Sequence, residues 1–261
     1  MHTGTGGAMG AVLAIVSAGG ALWATSSTAS QQFRQSYALA PSGRVVIDNP
    51  YGDVRISAWD RDEVRIEAVK SASDASRLND ARIVVDSTSD RLSIRTQYAG
   101  ADAEHPASVE YRITVPRRAN VDGVKLVNGG LSIRGLAGTV RATSVNGNIK
   151  AERLEGTADL STVNGQVEAD FYRISPSKPI SLRSVNGPIV LSIPSDSGAQ
   201  LIARNLSGGI QTDFEQQVSE ASGHRVRAVL KGGGAQIDLQ NVNGGISIHS
   251  TWSRRRERPG L

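Results

Sequence analysis

A short tripeptide, Val-Asn-Gly, returns along the second half of this 261-residue chain and constrains its fold more than any other feature. The copies are Val127-Asn128-Gly129, Val145-Asn146-Gly147, Val163-Asn164-Gly165, Val185-Asn186-Gly187 and Val242-Asn243-Gly244, with a degenerate copy at Leu206-Ser207-Gly208. Successive glycines are separated by 18, 18, 22, 21 and 36 residues, and the last step is twice the first. A near-constant spacing indicates that one structural unit is repeated.

Apolar residues keep fixed positions around each copy. The residues two places after the glycines are Leu131, Ile149, Val167, Ile189, Ile210 and Ile246. Pairs such as Val140 and Ala142, or Ala158 and Leu160, lie five and three places before the valine of the following copy. Alternation of this kind predicts a half-buried strand on each side of the turn.

Two all-β architectures are compatible with this pattern. Asn-Gly between alternating apolar residues is a strong hairpin signal, so an antiparallel meander or sandwich is the alternative. A meander gives no reason for the same residues to return at every second strand. In a coil, each residue lies about 4.8 Å from the equivalent residue of the next turn, so all the turns share one geometry. We therefore predict a β-solenoid, similar to a right-handed β-helix, because parallel crossovers are right-handed.

The turn residues are predicted to have a structural role. Asn and Gly tolerate the positive φ of a tight corner, and stacked Asn side chains can hydrogen-bond to one another. The predicted turn ladder consists of Asn128, Gly129, Asn146, Gly147, Asn164, Gly165, Asn186, Gly187, Gly208, Asn243 and Gly244.

The pattern divides the chain into successive sections. Residues 1–30 are predicted to be a signal peptide or N-terminal anchor, residues 31–39 a polar linker, and residues 40–118 a strand-rich N-terminal section. Residues 119–250 form the repeat, with an insertion at 213–232, and residues 251–261 form a basic tail. Asn49-Pro50-Tyr51-Gly52 is similar to the repeated turn, so we expect the N-terminal strands to continue into the coil.

The apolar stretch at residues 8–24 predicts export. No charged side chain precedes Arg34, and small residues suitable for cleavage occur at Ala24 and Ala29. An uncleaved anchor and a cytoplasmic tail are the alternatives. We expect a periplasmic or extracellular, cell-surface protein. The chain has no cysteine, so disulfides, thiolate metal sites and a lipid-modified N-terminal Cys are excluded.

No pattern predicts an active site, a cofactor or a metal. The four histidines are His2, His105, His224 and His249, and no two have metal-ligand spacing. Gly232-Gly233-Gly234 lacks the Lys-Ser or Lys-Thr of a phosphate loop. We therefore predict that the protein is not an enzyme. Outward carboxylates at Asp159, Glu168 and Asp170 leave a carbohydrate-active β-helix enzyme as a less favoured alternative.

The distribution of charge argues against a nucleic-acid partner. The net charge is +4, and residues 253–259, with four Arg and one Glu, contribute +3 of it. The rest of the chain is nearly neutral, whereas nucleic-acid binding needs basic residues clustered on the fold. Membrane contact is expected only through the leader or the basic tail.

Several segments together resemble a known family. Asn49 to Ile56, the strand ending Ile113-Thr114-Val115-Pro116, the tandem Val-Asn-Gly units and Gly233 to Ile246 are similar to the DUF4097 family over residues 45–250. The resemblance implies a bacterial, exported β-repeat protein regarded as an adhesin, and it supplies no catalytic residues. We expect a cell-envelope interaction module that binds an envelope protein or an extended polysaccharide. The alternative is an envelope-stress sensor or accessory protein acting through a membrane partner.

Overall fold

The computed structural model describes residues 29–99, 107–214 and 217–251, and these form an all-β structure of strands with one short 3-10 helix at Ser76–Asp80. The first strands are β1 (Ala29–Ala38), β2 (Arg44–Tyr51), β3 (Val54–Trp59), β4 (Glu63–Ala72), β5 (Ala81–Ser87), β6 (Arg91–Tyr98) and β7 (Ser108–Pro116). The next are β8 (Asn120–Asn128), β9 (Leu131–Arg134), β10 (Val140–Asn146), β11 (Ile149–Leu154), β12 (Ala158–Asn164), β13 (Val167–Phe171) and β14 (Ile180–Asn186). The last are β15 (Ile189–Pro194), β16 (Ala199–Ser207), β17 (Ile210–Thr212), β18 (Val218–Ser222), β19 (Arg225–Leu230), β20 (Ala235–Asn243) and β21 (Ile246–Thr251).

The strands form two large open sheets. Sheet A has the order β1-β4-β7-β3-β9-β11-β13-β15-β21-β17, and sheet B has the order β18-β19-β16-β20-β14-β12-β10-β8-β2-β6-β5. From β8 to β17, successive strands belong alternately to sheet B and sheet A. Each strand–turn–strand unit therefore contributes one strand to each sheet. The all-β prediction is confirmed.

The repeat strands pair in parallel and in register. In sheet B, Asn146 lies opposite Asn164, which in turn lies opposite Asn186. In sheet A, Ile149 lies opposite Val167. Equivalent residues of successive units are thus neighbours. The antiparallel meander alternative is wrong for these strands, because they run in the same direction. Only parallel strands can pair each residue with its equivalent in the next unit.

The final unit is inserted between two earlier ones. Strand β20 lies between β14 and β16, and β21 lies between β15 and β17. Asn243 consequently pairs with Asn186 on one side and with Ser207 on the other. The 36-residue step from Gly208 to Gly244 does not correspond to a repeat unit that lacks its Val-Asn-Gly turn. It contains β17 and the antiparallel pair β18–β19, which extends sheet B beyond β16; β18 and β19 lie within the insertion predicted at residues 213–232.

The N-terminal strands extend both sheets. Strands β2 and β3 pair in parallel with β8 and β9, and Tyr51 lies opposite Asn128. The predicted linker at residues 31–39 is wrong, because residues 29–38 form strand β1, which pairs antiparallel with β4 along all ten residues. Only Phe33 and Tyr37 of β1 pack against the core. An outermost strand needs few apolar residues, which is why this segment resembles a linker.

The core lies between the two sheets and consists of the alternate inward residues of each strand. The residues at the predicted inward positions around the repeated turns are buried, such as Leu160 and Ile189 at 0% exposure, except Ile210 on the edge strand β17, which is partly buried. The described residues do not include the predicted leader before residue 29, the tail after residue 251, His2 or His105. Within the described ranges, no helix is long and apolar enough to cross a membrane.

Candidate interaction groove

The asparagines of the repeated turn form a ladder of side-chain amides along one corner of the molecule. From Asn146 onwards, each Nδ2 donates a hydrogen bond to the Oδ1 of the preceding asparagine in the ladder. The bonds run from Asn146 to Asn128 at 2.9 Å, from Asn164 to Asn146 at 2.8 Å, from Asn186 to Asn164 at 2.9 Å and from Asn243 to Asn186 at 2.9 Å. This Asn ladder is exposed and continuous over five strands.

The glycine of each turn is required by the closeness of the next strand. Gly165 has a φ of 154°, and a Cβ built there would lie 2.3 Å from the carbonyl oxygen of Gly147. None of the ladder asparagines has a positive φ; in the part of the chain that the structure describes, only Arg153 and Lys231 do so among non-glycine residues. The expectation of positive φ at Asn is therefore wrong, and Asn contributes its side-chain amide instead.

A second polar column lies inside the corner, two residues before Asn146, Asn164, Asn186, Asn243 and Ser207, whereas Leu126 takes this position before Asn128. Its members are the buried Ser144, Thr162, Ser184, Asn241 and Asn205. Thr162 Oγ1 donates to the Gly147 carbonyl at 2.9 Å, and Ser184 Oγ donates to the Gly165 carbonyl at 3.0 Å. These side chains satisfy corner carbonyls that would otherwise be buried without a partner. The available signal was a polar residue at this inward position in every repeat unit after the first, and the predictions from the sequence did not include it.

The valine of the repeated turn faces solvent. Strand β14 shows why: Leu182 and Ser184 point inward, so the alternate residues Arg183 and Val185 point outward. Val145, Val163 and Val185 are 39–40% exposed, and Leu206 in the degenerate copy is 73% exposed. The prediction from the sequence gave this valine a role only in the turn. Its position in the strand alternation would have revealed an outward apolar row.

This apolar row borders a surface groove on sheet B. The groove has a volume of about 810 Å³, compared with about 360 and 460 Å³ for two hollows near the N-terminal strands. Its apolar row is Val145, Val163, Val185, Val242 and Leu206, and its polar row is Thr143, Ser161, Arg183, Gln240 and Arg204. We call this surface the Val groove. It crosses five neighbouring strands, so its length is about 19 Å.

The Val groove is lined by positive charge without negative charge. Among the described residues, those that line the groove include Arg183 and Arg204 and no Asp or Glu. Each arginine is paired with an aspartate in the adjacent outward row, Arg183 with Asp159 at 2.9 Å and Arg204 with Asp238 at 3.1 Å. Exposed ion pairs of this kind contribute only about 0–1 kcal/mol, so either guanidinium can turn towards a ligand at little cost.

The carboxylates singled out from the sequence do not converge. Asp159 lies in sheet B, whereas Glu168 and Asp170 lie in sheet A. Glu168 pairs with Lys150 at 3.4 Å, and Asp170 accepts a hydrogen bond from the backbone N–H of Arg153. The acidic groove expected for the carbohydrate-active alternative is therefore not formed by these residues. The described residues contain no cluster of three or more metal-ligating side chains.

Comparison with known proteins gives a family and a fold. Residues 123–249 match the family model Toastrack DUF4097. The chain is similar in structure to a candidate cell adhesion protein from Clostridium sporogenes, with a TM-score of 0.54, 11% identity and coverage of 85% of this chain and 100% of that one. A candidate adhesin from Parabacteroides merdae is 12% identical, with a TM-score of 0.34 and coverage of 84% and 96%. No protein of curated function matches the chain significantly.

Proposed function

We propose that this protein, whose residues 123–249 match the DUF4097 family model, is an exported, non-enzymatic, adhesin-like interaction module of the cell envelope. The observation that carries the proposal is the Val groove, where an apolar residue takes the same outward position on five neighbouring strands; four of these residues are exposed and Val242 is half-buried. A contiguous apolar surface bordered by polar side chains is typical of an interaction site.

The scaffold beneath the groove suits this role. We take the repeat to be a right-handed β-solenoid, and the parallel in-register pairing of β10, β12 and β14 supports this architecture. Handedness follows from the preference of parallel crossovers. Every lining residue of the Val groove belongs to a strand whose backbone is hydrogen-bonded on both sides. The surface is therefore formed before a partner arrives, which lowers the entropic cost of binding.

Export belongs to the same proposal. The apolar stretch at residues 8–24 supports it, and so does the similarity to a candidate cell adhesion protein. Cell fractionation followed by N-terminal sequencing of the mature protein tests this part. We expect the protein in the envelope or medium, with its new N-terminus after Ala24 or Ala29. Recovery of the full-length chain in the cytoplasm would contradict it.

The interaction surface is tested by binding of the purified full chain to envelope preparations. We expect replacement of two central apolar residues, Val163→Gln with Val185→Gln, to weaken binding at least about tenfold, since both lose apolar contact. Val69→Gln is the matched control, because Val69 is equally exposed at 40% but lies in sheet A, on β4. Equal binding by the three proteins would show that the Val groove is not the contact surface.

A further inference from the structure

We infer that the Val groove binds the hydrocarbon chain of a long-chain fatty acid, with the carboxylate held by the arginines of its polar row. This inference rests on the proposed function, because it names the ligand class of the same groove.

The shape and direction of the apolar row favour a hydrocarbon chain. Val145, Val163, Val185, Val242 and Leu206 follow one another on adjacent strands, about 4.8 Å apart, with no polar residue interrupting the row. A ligand along this row lies across the strands. The row is one side chain wide and about 19 Å long, which suits a narrow, extended and unbranched chain.

Polymers with polar backbones fit this row less well. A peptide lying across the strands cannot join the β-ladder, because ladder hydrogen bonds require its backbone to run along a strand edge. Its N–H and C=O groups over the valines would lose water without gaining partners. A glycan would lose hydration at its hydroxyls in the same way. Within the described part of the chain, no aromatic residue lines the groove to stack on a sugar ring. A hydrocarbon chain has no polar groups to satisfy.

The charges of the groove favour an anionic head group. Arg183 and Arg204 line it, and the carboxylates that pair with them lie outside it. Arg204 lies two residues before Leu206, the most exposed member of the apolar row, and opposite Arg225 of β19. Arg204 is ion-paired with Asp238, so the neighbouring Arg225 leaves an excess of positive charge at the β16 end of the row. The structure therefore orients the ligand with its carboxylate at Arg204 and its methyl end towards Val145.

Equilibrium binding of monomeric palmitate to the full chain tests this inference. We expect one palmitate per chain, with binding weakened at least about tenfold by Val163→Gln with Val185→Gln and about three- to tenfold by Arg204→Gln. Val69→Gln should leave palmitate binding unchanged, since Val69 lies in sheet A. Hexadecylamine, which has the same chain and a positive head group, should bind more weakly than palmitate.

The outcomes separate the ligand class from the function itself. Absence of palmitate binding, or equal binding by all variants, would overturn the fatty-acid inference. If the valine variant still lost envelope binding, the interaction module would stand with a different ligand. Binding to phosphatidylglycerol vesicles without binding to monomeric palmitate would show that the groove contacts a bilayer surface, which also overturns the inference. Palmitate binding without any effect of the valine variant on envelope attachment would instead contradict the proposed function.

Discussion

Replacement of Gly165 by alanine should destabilise the protein through the stacked corner. A Cβ at Gly165 would lie 2.3 Å from the carbonyl oxygen of Gly147, about 0.7 Å inside the 3.0 Å limit that real Cβ contacts respect. The obstructing atom belongs to the backbone, so it can move only by separating β10 and β12. The backbone bond from Gly147 N to Asn164 O, now 3.0 Å, would lengthen beyond hydrogen-bonding distance.

Two costs contribute to the expected magnitude. Insertion of a methyl group into a closely packed site costs about 1–3 kcal/mol. A φ of 154° is rarely adopted by an L-residue, and holding alanine there costs about 1–3 kcal/mol more. We expect the free energy of unfolding to fall by about 2–6 kcal/mol and the melting temperature by roughly 5–20 °C.

Thermal and urea unfolding of the purified variant, followed by circular dichroism, provide the measurement. Gly223→Ala is the matched control, because Gly223 lies in the turn between β18 and β19 and a Cβ there would meet nothing within 4 Å. The control should change stability by less than about 0.5 kcal/mol. If Gly165→Ala and Gly223→Ala were equally stable, the close stacking of the corners would not be the reason for glycine.

Three further predictions concern the corner columns and the N-terminal core. Ser184→Ala should lower the free energy of unfolding by about 1 kcal/mol, since it removes the donor to the Gly165 carbonyl. Ser144→Ala should be nearly neutral, because Ser144 Oγ has no hydrogen-bond partner among the residues that the structure describes. Urea titration would distinguish the two variants, and equal costs would contradict the assignment. Asn164→Ala removes two hydrogen bonds of the Asn ladder and should lower the free energy of unfolding by about 1–3 kcal/mol. If the loss equalled that of an alanine substitution at an exposed strand residue outside the ladder, cooperation between the amides would be refuted. Burial raises the pKa of Tyr111 to about 12, so its contribution to stability is present below pH 10 and is lost as the pH rises through 12. The total loss of unfolding free energy is on the order of 2–3 kcal/mol. Tyr111→Phe should flatten the alkaline loss of stability, and an unchanged slope would show that another group titrates.

Some features of the groove were encoded in the sequence but not recognised there. The alternation that places Leu182 inward also places Arg183 and Val185 outward, so the exposed valine row could have been derived from the repeat alone. The same alternation places Ser184 inward. The hydrogen bond from Ser184 to the Gly165 carbonyl could not be derived, because it joins neighbouring strands and depends on their separation.

The order of the strands depended on the tertiary structure. Backbone hydrogen bonds are the same for every residue, so the sequence does not state on which side of β14 a later strand will pair. Strand β20 matches β14 and β16 equally well in its apolar alternation, and it pairs with both. The far edge of β16 is covered by β19, so the returning chain occupies the position between β14 and β16.

By itself, the sequence determined that this protein is all-β, that its repeated turns coincide and that Val, Ile, Leu and Ala fill its core. These properties follow from the two-residue period of strands and from equal spacing, which are local. Only the tertiary structure decided that the last unit is inserted between two earlier ones, that residues 29–38 form an edge strand and that the valine row and two arginines share one groove. These properties arise between segments distant in the chain, where backbone pairing and the separation of the strands select one arrangement among several that local patterns allow.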